Sequence, residues 1–158
     1  MNITPVEKKP FGAIVTDVEL ANLNDETFSL IQVAFLKFGF LLFPTQFLSD
    51  QENIEFGQRF GELEFGASPM SNQEKLAEGH YEKIFSIESQ RMRTNVGNET
   101  WHTDSTYKPI SSKCAMLSAV RVPTEGGATE LADMRAGYAA LDQAMRDRIE
   151  NLSAYHST

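Results

Sequence analysis

Residues 101–106 read Trp-His-Thr-Asp-Ser-Thr, WHTDST, and the pair His102 and Asp104 in this stretch decides how the rest of the chain is read. On an extended backbone, residues two apart point to the same side. An imidazole nitrogen and a carboxylate oxygen can therefore be aimed at one point, as a two-ligand arm for a divalent cation. A nitrogen and oxygen donor set suits non-haem Fe(II), Zn(II) or Mn(II) better than soft metals, and a facial site needs a third arm from elsewhere. The chain has only three histidines. His80 and His156 have no metal-binding partner at a telling distance in the sequence. By itself the triplet is weak evidence, because His-x-Asp recurs by chance and such a pair is as readily a structural hydrogen bond.

The bulk properties exclude more than they establish. With 158 residues the chain suits one domain and can bury a core. It is 41% hydrophobic and 23% charged, as soluble globular proteins are. A net charge of −8 argues against a nucleic-acid surface, which needs clustered basic residues. The single cysteine, Cys114, precludes an internal disulfide and fits a reducing compartment. No stretch has the apolar length of a bilayer span, and the N-terminus lacks a signal-type apolar run. The expectation is a soluble, cytoplasmic, acidic protein.

Outward from the pair, residues 11–18 (FGAIVTDV) are rich in β-branched side chains and predict a strand. Asn24 and Asp25 offer caps for a helix to about Lys37, with Phe28, Ile31, Phe35 and Phe38 along one face and Gly39 as its stop. Residues 40–44 (FLLFP) predict a short strand buried on both faces. Ser49-Asp50-Gln51-Glu52 has the form of a capping box, opening a helix that ends near Gly61. Residues 64–80 are polar and aperiodic and predict a loop, of a kind that serves as a lid in some enzymes. Strands are expected at 83–88, 113–122 and 129–131, and one amphipathic helix over 135–152. There is no internal repeat or linker, hence no domain boundary.

Taken together, Trp101-His102-Thr103-Asp104, Pro109, the MLSAV segment, Pro123, Gly126-Gly127-x-Thr129-Glu130 and Asp133-Met134-Arg135-x-x-Tyr138-x-x-Leu141 form an ordered set. This set resembles the iron- and 2-oxoglutarate-dependent dioxygenases of the TauD/TfdA type, the taurine and chlorophenoxyacetate dioxygenase family. The WHTD and GGxT pieces at this separation are far more specific than either alone. The opening of the chain, through FGFLLFP and FGELE, resembles that family too, with the likeness thinnest over 64–95.

The resemblance implies an α+β fold: an incomplete double-stranded β-helix, or jelly-roll, core flanked by helices. Residues 1–158 would be the N-terminal part of a single dioxygenase domain, cut before the second half of the roll. His102 and Asp104 would be the first two Fe(II) ligands. Thr129 would hold a carboxylate of the cosubstrate 2-oxoglutarate, the alternative being a strand threonine chosen for packing. Asn98 would touch substrate. Trp101 is read as core packing beside the site, and His156 as structural or near the substrate pocket. Ala128 departs from the Asp or Asn that members often carry there.

The family's second histidine ligand and its 2-oxoglutarate arginine lie further along than Thr158, so the chain alone is expected to be an inactive fragment that exposes sheet edges and an apolar face. Its partners would be a small, anionic substrate and dioxygen, with neither nucleic acid nor membrane; a homo-oligomer stays open. Two alternatives remain beside hydroxylation of a substrate C–H bond. One is a non-enzymatic, cupin-like metal-binding or interaction module. The other is a zinc hydrolase using His102, Asp104 and either His80 or His156.

Overall fold

The computed structural model describes residues 1–9, 11–64, 73–75, 81–84, 88, 90, 100–120 and 122–155. Their contacts group into two compact units, one of Met1–Phe56 with Leu117–Tyr155, the other containing Gly57–Met116. The secondary structure is mixed, with helices and two small sheets.

In the first unit, β1 (Asn2–Pro5) pairs antiparallel with β2 (Ala13–Thr16), and β2 pairs in parallel with β3 (Leu41–Leu42). The apolar segment 11–18 thus supplies the central strand, and Ala13 and Val15 are fully buried on one face. β1 lies in a segment with no strand signal in its own residues. Its pairing with β2, from Asn2 opposite Thr16 to Pro5 opposite Ala13, makes it a strand.

The parallel step from β2 to β3 is made by α1 (Asp25–Phe38). Its ends follow the capping logic of the sequence. Asn24 accepts from the Thr27 amide at 2.8 Å. Gly39, at φ 79°, sends its amide back to the Phe35 carbonyl. Phe28, Ile31 and Ala34 form the buried stripe. β3 departs from the expectation of a strand buried on both faces. It has two residues, pairs only with β2 among the described strands, packs on α1, and leaves Leu42 53% exposed. A strand with one neighbour and one covered face cannot hide both sets of side chains.

The capping box forms as read. The Ser49 amide donates to Glu52 Oε2 at 2.7 Å, and the Glu52 amide donates to Ser49 Oγ at 3.3 Å. It opens α2 (Asp50–Gln58), followed by a turn to Gly61 at φ 153°. Phe56 of α2 is buried edge-on between Phe28 and Phe43, with ring centroids at 6.3 and 6.0 Å.

Three expectations fail in the later segments. The helix read over 135–152 is two helices, α3 (Met134–Ala139) and α4 (Gln143–Ile149). Asp133 caps the first, accepting from the Arg135 and Ala136 amides. Asp142 caps the second, accepting from the Met145 amide at 2.8 Å. An aspartate that can satisfy the first amides of a new helix competes with continuing the old one.

Secondly, the described residues of 113–122 and 129–131 are not strands. Leu117, Val120 and Val122 are 80%, 82% and 73% exposed, and Leu131 is 52% exposed. A strand exists only through a neighbour's hydrogen bonds, and no described strand lies beside these residues.

Thirdly, the segment read as a loop over 64–80 contains β4 (Gln73–Lys75), which pairs antiparallel with β5 (Tyr81–Ile84), with an irregularity between Glu74 and Lys75. β5 overlaps the strand expected over 83–88 at residues 83 and 84, while Glu88 lies in a turn. The rest of 65–80, with His80 and the lid reading, lies outside the described residues.

Candidate metal centre

In the second unit, the chain from Thr100 to Asp104 has no regular secondary structure, and a turn begins at Asp104. His102 and Asp104 nevertheless converge: Nε2 of the imidazole lies 3.2 Å from Oδ1 of the carboxylate, and both side chains are about half exposed, at 51% and 54%. The other ring nitrogen, Nδ1, is 2.6 Å from the Thr100 carbonyl. A carbonyl oxygen only accepts, so Nδ1 carries the proton and donates. Nε2 is then left to turn its lone pair on Asp104. Two electron-rich atoms facing each other at this distance call for a shared cation, whether proton or metal. A ligating histidine whose remote N–H is held by a carbonyl is the usual outer-shell arrangement of metal sites. The donor set therefore fits a hard or borderline divalent ion. Among the described residues no third His, Cys, Asp or Glu joins the pair.

Behind the pair lies a constellation that the sequence reading missed. Ser105 has a left-handed backbone, φ 56°. Its hydroxyl donates to Glu64 Oε1 at 2.5 Å. The Lys108 ammonium donates to the same oxygen, and the Ser112 hydroxyl donates to Oε2. The Lys108 amide returns to the Ser105 carbonyl at 3.1 Å. One carboxylate thus collects three donors from residues 105–112, across sequence separations of 41 to 48. No local pattern could reveal such a contact.

Lys108, followed by the two serine hydroxyls, lowers the Glu64 carboxyl from its ordinary 4.5 to about 2. The native state therefore takes up this proton less readily than the unfolded chain does. The stabilisation is complete above about pH 4.5 and disappears as pH falls from there through 2. Acid titration of the unfolding free energy should accordingly show a loss between pH 4.5 and 2 that is shallower in Glu64→Gln. Equal slopes in the two proteins would mean that the carboxylate contributes nothing to the native state.

The remaining predicted residues are placed as follows. Trp101 is 68% exposed, which corrects its reading as core packing. A tryptophan on an irregular segment beside a half-exposed pair has no layer to cover it. Thr129 belongs to the first unit and is exposed, with no strand around it. It follows Gly126 and Gly127 at φ 72° and 65°, a turn that side-chain-bearing residues rarely adopt. A Cβ on Gly127 would also come within 3.2 Å of the Pro123 ring. Asn98, His80 and His156 lie outside the described residues. Cys114 is half-buried, and burial pushes its thiol pKa up, which makes it a poor nucleophile. No described helix is long and apolar enough to cross a membrane.

Comparison with known proteins gives a consistent picture. The model of the family described as "Taurine catabolism dioxygenase TauD, TfdA family" matches residues 2–158. The (S)-phenoxypropionate/alpha-ketoglutarate-dioxygenase of Sphingobium herbicidovorans is 42% identical over 156 residues, which are 99% of this chain and 53% of that protein. The alpha-ketoglutarate-dependent 2,4-dichlorophenoxyacetate dioxygenase of Cupriavidus pinatubonensis is 32% identical over 157 residues, 92% of this chain and 55% of the relative. Among solved structures, that of AAD-2 in complex with Mn(II) and N-oxalylglycine superposes with a TM-score of 0.82 at 30% identity, covering 95% of this chain and 54% of that one. The chain spans about half the length of the curated relatives it matches.

Proposed function

The chain belongs to the TauD, TfdA family of taurine catabolism dioxygenases, and from that membership we propose that it carries the metal arm of an Fe(II)- and 2-oxoglutarate-dependent dioxygenase. The reaction is hydroxylation of a C–H bond in a small carboxylate-bearing substrate. The names of the relatives, phenoxypropionate and 2,4-dichlorophenoxyacetate dioxygenases, favour an aryloxy acid. The fold in this reading is a jelly roll, to which the segments around Leu117, Val120, Val122 and Leu131 would contribute strands once neighbours pair with them. The observation that carries the functional reading is the tie between His102 Nδ1 and the Thr100 carbonyl, which leaves Nε2 facing Asp104 Oδ1.

In this reading His102 would offer its Nε2 and Asp104 a carboxylate oxygen to the ion. Thr100 fixes the tautomer and the ring plane. Thr129 donates its hydroxyl to a carboxylate of 2-oxoglutarate, and Asn98 contacts substrate. Fe(II) with bound 2-oxoglutarate would supply the power to activate dioxygen, with succinate and carbon dioxide as co-products. The protein's own task is to hold these groups in register, leave positions open at the ion, and exclude water. A facial set would need a third protein ligand beside these two.

Anaerobic titration of the protein with Fe(II) and then 2-oxoglutarate tests this reading. A weak visible charge-transfer band should grow on adding the cosubstrate. Thr129→Val removes one hydrogen bond to a charged group, so the 2-oxoglutarate Kd should rise roughly tenfold or more. Unchanged cosubstrate affinity would remove Thr129 from the site. A spectrum indifferent to 2-oxoglutarate would leave a metal-binding module without turnover.

A further inference from the structure

We propose that the outward face of α1 is a self-association surface. Two copies of this chain pair through it antiparallel, Leu30 of each packing on Val33 of the other and Glu26 of each meeting Lys37 of the other. The inference is independent of the metal reading.

α1 buries one stripe, formed by Phe28, Ile31 and Ala34, and turns a second one outward. On the second stripe Leu30 is 52% and Val33 64% exposed. Glu26 in the first turn and Lys37 in the last are exposed too. These four positions are spaced four, three and four apart, so they follow one line along the helix, as the seam between paired helices does. A helix face that meets only water carries polar residues along such a line. Here the middle of the line is leucine and valine.

The order acidic, apolar, apolar, basic is its own complement when reversed. Turned antiparallel about a twofold axis at the level of Ile31 and Gln32, the line sets Leu30 against the second copy's Val33. The same rotation sets Glu26 against the second copy's Lys37, and the dimer holds that ion pair twice. Such an isologous contact closes at two copies, because one patch serves both. Within a single helix the two charges cannot meet, since they are eleven positions, or about 16 Å, apart. Among the described residues neither has an ion-pair partner. Lys37 lies 4.9 Å from the Phe38 ring centroid, a contact that leaves its charge in place. With two apolar side chains per copy at its centre, the interface is small and of the weak, transient class.

Sedimentation velocity of the chain from micromolar to millimolar concentration, with circular dichroism to follow helix content, tests the proposal. The wild type should pass from monomer to dimer, and Leu30→Asp should stay monomeric. Glu26→Lys or Lys37→Glu alone should raise the dimer Kd about tenfold or more, because each turns both ion pairs into like-charge contacts. The deciding sample is an equimolar mixture of the two charge variants. In the mixed dimer opposite charges face each other again, so association should return to about the wild-type level. Each reversal also opposes the helix dipole, but that loss belongs to the single chain and mixing cannot repair it. Should a reversal unfold the chain, Glu26→Gln and Lys37→Gln carry the same comparison, with one ion pair regained in their mixture.

A wild type that remains monomeric throughout leaves the stripe to another occupant and overturns the proposal. Association that survives Leu30→Asp runs through a different surface and overturns it as well. A mixture no tighter than the single variants overturns the antiparallel register.

Discussion

Replacing Asp104 with alanine is expected to abolish most of the divalent-metal affinity while leaving the fold intact. Among the described residues, Asp104 supplies the carboxylate oxygen 3.2 Å from the His102 Nε2. Without it, the His102 imidazole is the one described donor left at that point. The affinity should therefore fall by more than the roughly 10–100-fold typical of outer-shell changes. The fold should survive because the side chain is 54% exposed and its described partner is the equally exposed His102. Metal titration and circular dichroism on the same variant separate the two effects. Retained affinity with a lost native spectrum would identify Asp104 as a structural partner of His102.

The second large effect is expected at Ile31. This side chain lies on the inner stripe of α1, beside Phe28 and Ala34, and is fully buried. Ile31→Ala should lower the unfolding free energy by about 2–5 kcal/mol, the usual result of deleting a large aliphatic side chain from a packed interior. Native stabilities are typically about 5–15 kcal/mol, so the variant should sit near the edge of folding at 25 °C. Leu36, on the same helix but 71% exposed, is the matched control and should respond little to the same truncation. Urea unfolding of both variants is the measurement. A small effect at Ile31, or similar losses at the two positions, would mean that α1 does not pack through this stripe.

Local determinants explain why parts of this structure could be read in advance. Asn24, Gly39 and the Ser49–Glu52 box act within three or four residues, and all are found as the sequence implies. The convergence of His102 and Asp104 was also legible, although the backbone there is irregular rather than extended, because the two residues are near neighbours. The expectation failed where structure depends on distant partners. Val120 and Val122 favour a strand, but no described strand lies beside them. β1 is a strand because residues 13–16 lie alongside it. Glu64 looked like one acidic residue among many, since its donors lie more than forty positions away. Asp142 was visible in the sequence, but the apolar period running through it hid the break between α3 and α4.

The contact between Arg135 and the end of α1 has a consequence for biosynthesis. The guanidinium donates to the carbonyls of Leu36 and Lys37, at 3.0 and 3.5 Å, across separations of 99 and 98 residues. The β1–β2–β3 sheet and α1 draw only on the first 42 positions. At about 5–20 residues per second, a ribosome takes roughly five to twenty seconds to add the chain between them. Throughout that interval the Leu36 and Lys37 carbonyls lack this partner and are left to solvent or a chaperone, so the nascent chain passes through a stage in which its first helix is made but not yet sealed.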